Sequence, residues 1–414
     1  MNAKLKYFLL PMLMLSMSAC SGKNDTLSVM KGDIYEGGGG WYPGYSESDS
    51  GIEPSGIPTG EEGENSEQQI APKAGQLTCS ALDDNKYYDF WKSLSTSTQE
   101  GEGKFQKFKE KYAFNTFNRL DLTINNGNDV SIKVKGDTYA TKVDNLHKAY
   151  LFPQNKQDTY NVEISYLDSN DQRQTIEREV HDKDVIDLEN TFTIYNNLEI
   201  MFVIDATGSM GDEMEYIKAE IDDVISKVKN ANESAKISLA MMVYRDLEDA
   251  YVTKYSDFTT DIASQQEWLN KQSAGGGGDF EEAVHVALDE AMSKQWSAKS
   301  TKLLFHVADA PAHDEDIQSW SNTALLASRK GIKIITVASS GIDLKTEYFF
   351  RSQSLLTSGQ YVYLTNDSGI GGQHLEATKE EDLVVEYLND CLVRIINGYY
   401  SGTFANPISW KQVQ

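Results

Sequence analysis

The stretch LEIMFVIDATGSMGDEMEYIKAEIDDVISKVK, residues 198–229, decides the fold. Its first seven residues are mostly apolar and end against Asp205. A short polar turn follows, and then apolar residues return at helical spacing. An apolar run feeding an amphipathic helix is the unit of a parallel sheet covered on both faces. The rhythm recurs downstream. ISLAMMVY, KLLFHVA, IKIITVAS and QYVYLT read as strands; FEEAVHVALDEAMSKQW, SNTALLASRKG and DLVVEYLNDCLVRIIN read as helices. This alternation predicts an α/β, doubly wound, mostly parallel sheet over residues 196–400.

In such a sheet, ligands sit in the crevice beyond the carboxyl ends of the strands. The first strand ends on Asp205, with Thr207 and Ser209 behind it. GGGGDFEEA brings Asp279, and DAPAHD after KLLFHVA brings Asp309. Topology alone sends three carboxylates and two hydroxyls to one edge. Two bare carboxylates 4 Å apart cost about 4 kcal/mol at an effective dielectric near 20. Either the protons stay on or a cation is present, and an all-oxygen set suits a divalent ion, Mg²⁺ first, with Mn²⁺ or Ca²⁺ possible, rather than Zn²⁺.

The motif series DATGS, VYRD, GGGDFEEA, DAPAH and YVYLTNDSGIGGQHLEAT resembles the von Willebrand factor type A domain, whose D-x-S/T-x-S signature marks a metal-ion-dependent adhesion site (MIDAS). The resemblance implies that Asp205, Thr207 and Ser209 are first-loop metal ligands, Asp279 the second-loop position and Asp309 the third-loop aspartate. Adhesive members often carry threonine where Asp279 stands. A neutral group there leaves the ion electrophilic towards a partner's carboxylate; an aspartate damps that pull.

Other chemistries read less well. AGGGGD lacks the G-K-S/T ending of a phosphate loop, so its glycines are expected to allow a tight backbone turn beside the ion. Ser209 has no G-x-S-x-G elbow, which argues against a nucleophile paired with His313. His306, inside an apolar strand, reads as a core residue. Arg245 and Asp246 read as a loop-ordering ion pair, and His374 suggests no chemistry of its own.

The remaining chain divides by composition. Residues 1–19 have a basic start, a short apolar core and small residues before Cys20, as in a secretory signal. MSAC resembles the lipobox of bacterial lipoproteins, which implies cleavage after Ala19 and lipid on Cys20. Residues 20–75 read as a disordered acidic tether: Asp33 to Glu67 holds nine Asp or Glu and no Lys or Arg. Trp41 and Tyr42 are its aromatic spot. Residues 76–115 read as a helical segment. Residues 116–190 alternate with period two (NRLDLTI, VSIKVKG, KAYLFP, YNVEISYL, QTIEREV) and predict a smaller antiparallel β-sandwich. Within it, KVDNLHKAYLFP resembles carboxypeptidase-regulatory-like domains, and His147 reads as a turn residue. Residues 401–414 form a tail. Cys79 and Cys391 either pair outside the cytosol or stand as two separate buried thiols.

A formal net charge of −25 and a pI near 4.6 disfavour nucleic acid and favour cations or basic protein surfaces as partners. The expectation is a bacterial cell-envelope protein, held to the membrane by lipid at the outer membrane, surface or periplasmic face. It binds a divalent cation and captures a protein or extracellular-matrix ligand, and is not an enzyme. The alternatives are a metal-dependent hydrolase or enzyme subunit, or a structural envelope component with a purely structural ion.

Overall fold

A computed structural model describes residues 71–96, 103–112, 114–188, 195–379 and 382–413. The signal segment, Cys20 and nearly all of the expected tether lie outside the described residues. Residues 68–414 make one compact unit.

The described residues open with β1 (Thr78–Leu82), α1 (Tyr88–Ser93) and α2 (Gln106–Tyr112). Seven short strands follow: β2 (Leu120–Asn125), β3 (Asn128–Val134), β4 (Ala140–Lys142), β5 (Lys148–Leu151), β6 (Tyr160–Leu167), β7 (Arg173–Val180) and β8 (Val185–Asp187). The α/β part comprises β9 (Asn197–Asp205), α3 (Met214–Ala231), β10 (Lys236–Tyr244), β11 (Thr253–Thr259), α4 (Ile262–Asn270), α5 (Val284–Ser293), β12 (Thr301–Ala308), α6 (Ile317–Lys330), β13 (Ile332–Ala338), α7 (Leu344–Leu356), β14 (Tyr361–Leu364), β15 (Glu386–Tyr387) and α8 (Leu388–Ser401).

The main sheet has eight strands in the order β11-β10-β9-β12-β13-β14-β1-β15. Its centre is parallel: β9 lies between β10 and β12, and β13 and β14 continue the series. Antiparallel strands close both sides, β11 on β10 and β1 with β15 beyond β14. Alternate β9 side chains enter two cores. Met201 and Val203 join α5, α6 and α7 on one face. Leu198, Ile200, Phe202 and Ile204 join α3, α4 and α8 on the other. Helix ends follow local chemistry: Asp343 caps α7 by accepting from Thr346 N at 2.7 Å, and Gly331 ends α6 in the left-handed region at φ 72°. No helix among the described residues is long and apolar enough to cross a membrane.

Two expectations change. The segment from residue 76 does not start as a helix. Thr78–Leu82 is a strand of the main sheet, pairing Cys79 with Leu364. The Glu220 carboxylate on α3 accepts from Gly75 N, Gln76 N and Leu77 N at 2.9, 2.9 and 3.0 Å and so fixes the approach to β1. The strands of residues 120–187 form two sheets, β5-β2-β8 and β4-β3-β6-β7, in which β2 pairs with β8 in parallel. Their buried residues share one hydrophobic cluster with α6 and α7, and Tyr139 Oη donates to Leu356 O at 2.6 Å. The packing therefore runs straight through the boundary at 190–196 that composition suggests.

Cys79 and Cys391 are both free and buried, and their thiols are hydrogen-bonded between β1 and α8. Burial and that bond push the Cys79 thiol well up.

Candidate metal centre

Nine strand residues carry the chain to Asp205, the last residue of β9, which is fully buried at the carboxyl edge. The parallel order splits here, with β10 to one side of β9 and β12 to the other, which opens the crevice. Thr207 donates to Asp205 Oδ1 from its backbone N at 2.9 Å and from Oγ1 at 2.7 Å. Ser209 Oγ lies 3.2 Å from Thr207 Oγ1 and hydrogen-bonds to Asp309, just past the end of β12. The structure thus brings Asp205, Thr207, Ser209 and Asp309 together.

Asp279 does not join them. It stands exposed on the rim, where ligand atoms of Asp246, Asp279 and His313 lie within 4.8 Å of one another. The buried carboxylate of GGGGDFEEA is Glu282, at 2% exposure. A backbone bridge explains the choice: Glu282 pairs with Ala312 in parallel and its N donates to Pro311 O at 3.0 Å. This draws Glu282 against the Asp309 loop and leaves Asp279 at the tip. The sequence signal for Glu282 was a carboxylate next to the buried AVHVALDEA helix, hidden by its resemblance to any helix-start acid.

The glycine run makes the approach possible. Gly208 N donates to Gly276 O and Gly275 N to Ala206 O, each at 3.0 Å, so the two loops lie backbone to backbone. Gly276 has φ 82°, and a Cβ there would come within 2.1 Å of Asp249 Oδ1. Asp249 Oδ2 accepts from Gly277 N at 2.9 Å.

Electrostatics mark the centre. Burial pushes the Asp205 carboxyl up to about 7, and the Asp309 charge adds to it, against the hydrogen bonds from Thr207. Burial pushes Asp309 up to about 6 despite the bond from Ser209. Glu282 is driven to about 9 by burial and then by the charges of Asp205, Asp246 and Asp309. Asp309 Oδ1 and Glu282 Oε2 are buried without a hydrogen-bond partner among the described residues, and Asp205 Oδ2 has at most the Tyr244 hydroxyl. Buried oxygens of this kind need a proton or a cation. An all-oxygen set with three buried carboxylates fits a hard divalent ion.

The remaining candidates fall into place. Asp246 pairs with His313 Nε2 at 2.9 Å rather than with Arg245, which donates to Ser273 O at 2.9 Å. His306 is a core residue, its Nε2 3.1 Å from Tyr244 Oη, and burial lowers it to about 3. His147 is a turn residue at φ 61°. His374, unassigned by sequence, is buried with Nε2 2.7 Å from Glu213 Oε1, and Glu213 also accepts from Ser340 N. This pair locks the loop after β14 onto the DATGS loop.

The α/β part is similar to known proteins. Residues 199–379 match the family model described as von Willebrand factor A domain. Alpha-protein kinase vwkA of Dictyostelium discoideum is 28% identical over 167 residues, which is 40% of this chain and 27% of that protein. A putative ariadne-like RING finger protein R811 of Acanthamoeba polyphaga mimivirus is 26% identical over 184 residues, covering 40% and 18%. This chain therefore spans about a quarter or less of these relatives. Among solved structures, the SpRpn10 VWA domain aligns with TM-score 0.28 and 13% identity, covering 38% of this chain and 82% of that one. The pilus adhesin SpaC of Lactobacillus rhamnosus GG, open conformation, aligns with TM-score 0.34 and 11% identity, covering 66% and 33%.

Proposed function

We propose that the von Willebrand factor A domain at residues 199–379 is a binding module that captures a protein or matrix ligand at its carboxyl edge, with a divalent cation held there. Asp205, Thr207, Ser209 and Asp309 are the ligand set, and Glu282 takes the place the sequence gives to Asp279. The observation that carries this reading is the burial of three carboxylates, Asp205, Asp309 and Glu282, at one edge, with Asp309 Oδ1 and Glu282 Oε2 lacking a hydrogen-bond partner among the described residues. Mg²⁺ is the first choice of ion, and Mn²⁺ and Ca²⁺ satisfy the same oxygens. The cation supplies positive charge that lets three buried carboxylates ionise together. Thr207 holds Asp205 in its rotamer, Ser209 bridges to Asp309, and the Glu213–His374 pair ties the loop after β14 to the start of α3.

Binding is preferred to catalysis. No basic residue lies in DATGSMGDE or GGGGDFEEA to receive a phosphate. A lipid anchor on Cys20 would place the module at the bacterial envelope and is part of the same proposal. Calorimetric titration of Mg²⁺, Mn²⁺ and Ca²⁺ into the purified chain tests the centre. Selective binding that Asp205→Ala abolishes is the expected result; no binding to the wild type overturns it. Turnover of phosphate or ester substrates with Mn²⁺, abolished by Asp205→Ala, would favour the enzyme instead.

A further inference from the structure

We infer that the partner meets this edge with a basic segment built around an apolar side chain, not with the acidic residue that adhesion sites of this family are expected to take. The inference rests on the binding reading above and specifies its partner. The four loops 205–213, 245–250, 279–282 and 309–316 carry thirteen Asp or Glu against one Arg and no Lys. What neutralisation the fold provides is spent locally. Lys345 bridges Glu281 and Asp314 at 2.9 and 2.8 Å, Lys111 also takes Asp314, and His313 takes Asp246. Asp212, Glu248 and Glu315 are exposed and have no ion pair among the described residues. One divalent ion offsets two of these charges, so the edge stays strongly negative when loaded.

Behind the rim, three buried carboxylates, Asp205, Asp309 and Glu282, add to the demand for positive charge, and a single divalent cation offsets only two of their three charges. An incoming carboxylate would enter against the whole field; Lys or Arg would be drawn in by it. The rim also carries apolar contacts. Phe280 is 40% exposed and Leu247 50% exposed. Each is the neighbour of a rim aspartate, and those aspartates, Asp279 and Asp246, approach within 4.8 Å. The two apolar side chains therefore stand on adjoining loop tips, flanked by acids. A complementary partner presents an apolar anchor ringed by cations.

The test uses the full chain in Mg²⁺ and two short labelled peptides of equal length, one lysine-rich and one glutamate-rich, each with a central leucine, read by fluorescence anisotropy. The lysine peptide is expected to bind, with affinity falling about tenfold as salt rises from about 0.05 to about 0.3 M. The glutamate peptide is expected not to bind. Asp212→Asn with Glu248→Gln should weaken the lysine peptide about fivefold, as the field of the rim is reduced. Phe280→Ser should weaken it about threefold while leaving the salt slope unchanged. Glu179→Gln on β7 and Glu233→Gln beyond the end of α3, away from the carboxyl edge, should leave it within about twofold if the site is local. Equal losses from those two controls, no binding of the lysine peptide, or preference for the glutamate peptide each overturn the inference. Cation titration of the same samples separates the two proposals. A chain that binds the lysine peptide at the rim but takes up no ion keeps this inference and loses the metal centre.

Discussion

Asp205 shows how a single residue carries the physics of the site. Its strand is apolar enough to bury it completely, and its partners are other acids. In the metal-free protein the folded state holds protons that the unfolded chain has already released, because the folded carboxyls titrate near 6 to 9 and free ones near 4. Stability without a cation therefore falls as pH rises through that window, and added Mg²⁺ should restore it more at pH 8 than at pH 5. Thermal melts at both pH values check this; equal stabilisation at both would contradict it. By the same competition, cation affinity should rise with pH and release protons to the buffer. Glu282→Gln should cost about ten- to a hundredfold in cation affinity by titration, whereas Asp279→Asn should cost less than about threefold. His306 has the opposite sign. Its folded value lies below the unfolded one, so its contribution to stability is present above about pH 6.5 and is lost as pH falls towards 3. The urea midpoint of His306→Gln should therefore fall less on acidification than that of the wild type.

At the scale of elements, the sequence was most readable where burial is one-sided or periodic. The strand runs of residues 198–365 and the alternation of YNVEISYL stand where their pattern puts them. What escaped was helix α7. Every residue from Thr346 to Leu356 is buried, so the helix has no polar face and no readable period. Edge strand β11, TKYSDFT, has too few apolar residues to announce itself. Strand β1 is five residues long, and nothing local says that its partners lie beyond residue 360. At the site, Asp205, Thr207, Ser209 and Asp309 were legible because they follow strand ends directly. The choice between Asp279 and Glu282 was not, because it depends on a bridge to Ala312 in another loop. The anchoring of β1 is a testable element-level claim. Glu220→Ala leaves three amides without their carboxylate and should cost about 3 kcal/mol in chemical denaturation, with faster hydrogen exchange at Leu77.

Across the whole molecule, one buried cation joins distant parts of the chain. Arg351 on α7 donates to Asp84 from Nε and Nη2 at 2.9 and 2.5 Å, and from Nη1 to Glu347 at 2.8 Å and to Thr378 O at 2.6 Å. It also faces the Trp91 ring at 5.4 Å. Arg351→Met strands two buried carboxylates and should destabilise the chain by about 3–5 kcal/mol, seen as a lower urea midpoint in a single transition. A separate early transition for residues 114–188 would show that their core is not continuous with α6 and α7. The place of β1 has a mechanical consequence. The described fold begins at residue 71, just ahead of this strand, which is hydrogen-bonded to β14 on one side and β15 on the other. Tension arriving along the chain from that end would not peel a free edge. It would load two ladders and the Glu220 clasp together, so the module should hold its shape, and its crevice, while being pulled.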